Sequence, residues 1–250
     1  MTLDELYQKV NYFAGKDKRG KTFKISEFNT LLPTVQDALY SRELDKLVVG
    51  DLQNIPQSRL SITPLRPFIY STSGDAVYGR YNLPTIYRRW ILITIGGREV
   101  EVVTQSEFNR RSTSPFRRPD VRPFCYIVRQ NVLLSDPDAT SVDMQYFANP
   151  TTPYYDYCQD ADTLNEVFMP VGSYIALNDD NVPTLYNSDS VVLFTPVTKD
   201  GVSTYPYTSQ TVELQWEPIY HDKFVTAMLA AVGINLQQAD LTQYAVGKDQ

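Results

Sequence analysis

Between Asn149 and Asp162 the chain reads NPTTPYYDYCQDAD, with Asp156, Cys158, Asp160 and Asp162 at alternate positions. Ligands at every second residue are the opening of a calcium loop, but the rest of that frame is missing. Its sixth position needs glycine for the sharp turn and holds Ala161, and its twelfth needs a bidentate glutamate and holds Val167. A thiol is also a poor ligand for a hard cation. A zinc site needs about four nitrogen or sulfur ligands, and the chain offers only Cys125, Cys158 and His221, without motif spacing. Cys158 as a nucleophile needs a base and an orienting group. The single histidine, His221, stands in Tyr220-His221-Asp222 at a helix start, where a capping role is the simpler reading. The chain has no Walker loop, nucleophile elbow or dinucleotide fingerprint. The reading is therefore not an enzyme, with no catalytic, cofactor or metal site expected. The stretch keeps two stiffening prolines, three tyrosines with large contact area, and acids able to meet arginine. It is read as a docking loop after a strand, with Tyr154, Tyr155, Asp156 and Tyr157 as its contact residues.

The natural counterpart lies upstream in RRSTSPFRRPDVRPF. Arg110, Arg111, Arg117, Arg118 and Arg122 fall there without one lysine, interleaved with Phe116 and Phe124. Arginine forks bind carboxylates bidentately and stack on aromatic rings, so the block reads as an inter-subunit or partner contact. Charge along the chain supports that. Residues 1–79 carry +1, residues 80–129 carry +6 and residues 130–250 carry −13, giving −6 in all. A basic centre beside an acidic second half suggests complementary surfaces within or between copies. The overall acidity argues against a nucleic-acid groove.

The elements that must carry these surfaces are helical at the ends and β in the middle. Thr2 and Glu5 form a capping box ahead of Leu3, Leu6, Val10 and Phe13. Ser26 is placed to cap a second helix with Phe28, Leu32, Val35 and Leu39 inside, in which Pro33 should cause a kink or a late start. ILITIGGREVEVV predicts a hairpin about Gly96-Gly97. Further strands are expected at Phe124–Val128, Val142–Phe147, Val191–Phe194 and Thr211–Trp216. After Pro218 comes an apolar helical stripe of Phe224, Val225, Met228, Leu229 and Val232, stopped at Gly233, then a short helix over 236–244. No internal repeat stands out, and no apolar run approaches the ~20 residues of a membrane span. The expected fold is α+β: N- and C-terminal helices packed as a bundle on a central antiparallel β-barrel or sandwich with long loops. Residues 1–60 and 217–250 would form the helical domain and residues 61–216 the β-rich one.

Several segments together carry a resemblance: the opening amphipathic helix, ISEFN at Ile25–Asn29, LRPF at Leu65–Phe68, YFANPTTP at Tyr146–Pro153 and VGINLQQADLTQYA at Val232–Ala245. In this order they resemble structural proteins of crAss-like and related Bacteroidetes tailed phages. In architecture the chain is similar to podovirus gatekeeper or adaptor proteins. The resemblance implies a head-to-tail connector ring protein, with twelve copies around the DNA channel. Its partners would be other copies of itself, the portal and further neck or tail proteins. DNA would pass without sequence-specific binding. The location would be the virion neck or tail, after assembly in the host cytoplasm, with no membrane partner. A tail hub or minor capsid protein, or a β-rich carbohydrate- or receptor-binding module, are the alternatives.

Overall fold

The structure, a computed structural model, describes residues 2–16, 24–48, 64–114, 122–202 and 204–231. It is α+β as expected, with helices towards both ends and several small sheets between them. The sheets within residues 42–150 pack as a sandwich, and among the described residues no sheet closes into a barrel. Contacts concentrate in two compact units, residues 1–41 with 151–250 and residues 42–150. Each unit mixes helix and strand, whereas the boundaries drawn from sequence separate the two types.

The first unit holds helices α1 (Leu3–Lys16), most of α2 (Ile25–Val48) and α4 (His221–Ala231). The capping box forms: Glu5 N donates to Thr2 Oγ1 at 3.2 Å and Thr2 N to Glu5 Oε2 at 3.1 Å. Leu3, Leu6, Val10 and Phe13 are buried at the predicted spacing. α4 follows a 3₁₀ turn opened by Pro218 and buries Phe224, Val225, Met228 and Leu229. It packs against α1, where Lys9 meets Asp222 at 3.3 Å. α2 begins at Ile25, so Ser26 lies in its first turn instead of capping it, and Glu27 reaches back to Lys24 N. The helix runs through Pro33, whose missing N–H leaves the carbonyl of Asn29 without its helical donor.

Two small sheets complete this unit. One has the order β10-β9-β14, from Glu166–Phe168, Tyr157–Asp160 and Val197–Thr198. The other has the order β13-β12-β11-β15, from Val192–Phe194, Pro183–Tyr186, Tyr174–Leu177 and Tyr207–Thr208. Cys158, Met169, Ile175, Leu185 and Val197 form the core between them. A short repeat, missed in the sequence, builds β11, β12 and β13. NDDNV at 178–182 and NSDSV at 187–191 are the same turn nine residues apart. In each, the leading asparagine Oδ1 accepts backbone N–H groups two and four residues on, at 2.8–3.0 Å. The fourth residue, Asn181 or Ser190, takes a positive φ. The expected strand Thr211–Trp216 is absent as a ladder, with only Val212 bridging to Tyr154. Its buried positions are Thr211 and Trp216, because the Thr211 hydroxyl is drawn into a polar cluster described below.

The second unit is a sandwich of two four-stranded sheets. One has the order β1-β8-β3-β4: Ile69–Asp75, Ser141–Ala148, Tyr87–Ile95 and Arg98–Glu99. The other has the order β2-β7-β6-β5: Arg80–Asn82, Asn131–Leu134, Phe124–Val128 and Glu101–Val102. Ile93, Val142, Met144 and Tyr146 from the first sheet meet Tyr81, Cys125, Val132 and Leu134 from the second. The predicted hairpin forms about Gly96-Gly97, both at positive φ. Its return run breaks at buried Val100, so Glu101–Val102 leaves to pair parallel with β6. That crossing joins the two layers.

Candidate functional site

The predicted docking loop is an internal tether for much of its length. Asn29, in the first turns of α2, clasps the backbone of Tyr155. Its Nδ2 donates to Tyr155 O and its Oδ1 accepts Tyr155 N–H, both at 2.9 Å. One turn beyond Pro33, Gln36 Nε2 donates to Thr151 O at 2.8 Å. The Tyr155 side chain is 3% exposed and donates its hydroxyl to Asp4 Oδ1 at 2.8 Å. Its ring sits 4.7–5.9 Å from those of Tyr7, Phe28 and Phe168, which ties α1, α2 and β10 together. Burial, then the Asp4 carboxylate, holds its phenol well above the ordinary range.

Asp156 is 0% exposed and is the hub of the unit. Its Oδ1 accepts from the Lys199 ammonium and from Tyr157 N–H, and its Oδ2 from the Tyr207 hydroxyl and Gln210 N–H. Thr211 Oγ1 accepts Asp156 N–H at 3.2 Å and donates to Met169 O. Lys199 also donates to Tyr157 O and lies 4.8 Å and 5.5 Å over the rings of Tyr157 and Tyr207. Burial and the adjacent carboxylate push the Tyr207 phenol up to about 12. Both Tyr155 and Asp156 are thus buried and bonded within the chain. Tyr154 stays exposed and Tyr157 half-buried. Further along, Asp160 accepts from Thr163 Oγ1 and Asp162 N–H, which lowers its carboxyl's pKa. Cys158 is buried and its thiol is pushed up to about 11 by that burial. Among the described residues, no three His, Cys, Asp or Glu side chains gather as a metal set.

The arginine block divides as well. Thr104 caps helix α3 (Gln105–Ser112), accepting Glu107 N–H at 3.3 Å. Arg111 forks onto Glu101 at 2.7 and 3.1 Å, bonds Glu107 through Nε and Nη2, and lies 5.6 Å over the Phe124 ring. These bonds raise the guanidinium's already high pKa and lower that of Glu101. Arg111 therefore fastens α3 to the sandwich. Arg110 has a 79% exposed side chain with a long 3.5 Å contact to Glu107, and Arg122 is exposed. Arg117 and Arg118 lie outside the described residues, as does the short helix expected over 236–244.

Three surfaces were not singled out from sequence. Val191, Val192, Leu193 and Phe194 are 57, 52, 44 and 36% exposed along edge strand β13. Nothing in an unbroken apolar run distinguishes an exposed edge from a buried strand. Tyr78 stands 91% exposed with φ 51° beside Gly79 with φ 68°, at the tip of a two-residue turn. There Val77 and Arg80 exchange both backbone bonds. A trough of about 370 Å³ lies on the β1-β8-β3 sheet, lined by Ser71, Ser73, Leu92, Thr94, Asp143 and Gln145 among others. No family model matches the chain, and no curated protein matches it.

Proposed function

We propose that the chain is a virion structural protein, a head-to-tail connector ring component that forms a symmetric oligomer around the DNA channel between portal and tail. The observation that carries the reading is the unequal charge of the two compact units. Residues 1–41 and 151–250 hold 9 Lys and Arg against 18 Asp and Glu, a net of −9. Residues 42–150 hold 14 against 11, a net of +3. A ring is one heterologous contact repeated until it closes, so each copy must present two different, complementary surfaces. An acidic wall also lets DNA slide, because it offers no phosphate-neutralising contacts. The resemblance supports the same role. Asn29 of ISEFN, Gln36 beyond it and Thr151 of YFANPTTP make the ties that bind α2 to the following β segment. These are architectural, not chemical, duties.

Locating the chain in the phage particle by cryo-microscopy tests the role, and a position outside the neck and tail overturns it. Reversing the exposed arginines, Arg110→Glu with Arg122→Glu, is expected to weaken assembly while leaving the fold intact. Unchanged assembly removes the charge argument. The polar trough favours a second reading, a carbohydrate-binding module, which a glycan array tests. The residues lining it include no aromatic ring for a sugar to stack on, so the connector reading stands first.

A further inference from the structure

We propose that β13 is an assembly edge, and that the basic unit of a second copy of this chain closes it by strand addition. The inference rests on the self-assembly part of the proposed function. Eight strands form the edges of the four sheets, and one side of each has no strand beside it among the described residues. Seven carry at least one charged, hydroxyl or amide side chain: β1, β2, β4, β5, β10, β14 and β15. Only β13, Val192-Leu193-Phe194, is wholly apolar, and Val191 extends the run. Edges in soluble proteins are ordinarily blunted with charge or proline because open N–H and C=O groups recruit another strand. Here no strand lies beside the outer side of the backbone among the described residues, and the side chains on both faces are exposed. That combination recognises an extended polypeptide: main-chain bonds supply the registration and apolar side chains the affinity.

The charge around the strand selects the occupant. Asp189 in the turn before it and Asp200 beyond it are exposed, and the whole unit is at −9. A like unit would bring acid against acid, which disfavours a symmetric β13–β13 pair. The other unit is at +3, and its edge strands β2 and β4 carry the exposed arginines Arg80 and Arg98. Contact between unlike units of successive copies is heterologous and propagates, as a ring requires.

The test uses the full chain in two measurements. Sedimentation velocity compares wild type with Val192→Lys and Leu193→Lys, whose folding is checked by circular dichroism. Because both positions are exposed, the variants are expected to fold and to assemble at least about tenfold more weakly, a change of about 1.4 kcal/mol. Hydrogen exchange on wild type, which needs no variant, is expected to show residues 191–194 gaining protection as concentration rises. Added salt is expected to weaken assembly. Wild-type assembly that the lysines do not touch overturns the inference alone. So does β13 protection that ignores concentration, since the edge is then covered within the chain. Assembly strengthened by salt overturns the choice of the basic unit. A wild-type chain that never self-associates overturns both the inference and the self-assembly reading. Assembly through β13 by a chain absent from the neck overturns the functional reading and leaves the inference standing.

Discussion

The two units solve the problem of a small core in different ways. The sandwich of residues 42–150 is held by apolar side chains alternating inward from two sheets. The acidic unit buries the apolar faces of its helices and a five-residue apolar cluster between its short-stranded sheets, and sets most of the described buried polar groups among them. Of the nine buried polar residues described, seven belong to it: Gln36, Asp156, Asp160, Ser173, Thr184, Thr211 and His221. Only Glu43, near the end of α2, and Ser135 fall within residues 42–150. Apolar burial is non-directional and tolerates imperfect geometry, whereas a buried carboxylate tolerates almost none. The acidic unit should therefore fail through single polar groups, and the sandwich through volume.

Asp156→Ala is the sharpest test of that contrast. It strands the Lys199 ammonium, the Tyr207 hydroxyl and two backbone N–H groups at once. Removing one partner of a buried ion pair destabilises by ~3–5 kcal/mol. Thermal or denaturant unfolding is expected to show a loss of that size. Adding Lys199→Met should return only part of it, since the Tyr157 and Gln210 amides stay unpaired. Full recovery in the double variant would mean that the ion pair alone is the hub.

In the sandwich the matching failure is steric. A Cβ at Gly74 would sit 2.6 Å from Tyr81 Cε2, and the Tyr81 ring is buried between the sheets. Gly74→Ala gains ~0.4–1 kcal/mol by restricting the unfolded chain, but overpacking costs ~1–3 kcal/mol. A net loss is expected in the same unfolding assay. A gain would show that the ring moves freely and that this core is looser than its burial implies.

The same contrast explains what could be read from the sequence. Part of the sandwich was legible: alternation marks the Gly96-Gly97 hairpin, β6 and β8, whereas β1, β2 and β7 were not expected from sequence. The capping box and the inward faces of α1, α2 and α4 were legible for the same kind of reason. The buried polar groups of the acidic unit were not. Asp156, Thr211 and Tyr155 look like surface residues, and their burial depends on partners 40 to 150 residues away, such as Lys199 and Asp4. Thr211–Trp216 alternates well, but Thr211 is drawn inward by its hydrogen bonds and the ladder is lost. The Asn-x-Asp-x-Val repeat was visible at its nine-residue spacing and would have located β12 between its two turns.

His221 tests the acidic unit by pH. Its Nε2–H donates to Trp216 O at 2.9 Å, and its buried Nδ1 has no partner among the described residues. Burial lowers its pKa below 6.5, with a smaller push the same way from Lys9 and smaller opposing effects from the Trp216 bond and Asp222. Between the lowered value and 6.5 the unfolded chain binds the extra proton, so stability falls as pH drops through that window. The slope is at most about 1.4 kcal/mol per pH unit. Since this is the only histidine, His221→Gln, which keeps a donor for Trp216 O, should flatten the profile just below neutrality. A profile unchanged by that substitution would assign the loss to carboxylates.

The smallest effect is expected at Arg111, where the sandwich also relies on charge. Its fork joins Glu101 and Glu107 at the surface, with side chains one-third to one-half exposed, so water and salt weaken every bond in it. Arg111→Lys keeps the charge but cannot hold two carboxylates in one plane or stack on Phe124 in the same way. A loss of ~0.5–1 kcal/mol is expected, shrinking as salt is added. Its pH dependence has a definite sign. Arg111 lowers the pKa of Glu101, so the pair's contribution is present above about pH 4.5 and fades as Glu101 protonates below it. If Arg111→Lys instead costs as much as Asp156→Ala and ignores salt, the cluster is a desolvated anchor. The distinction between a charge-built unit and a volume-built one then fails.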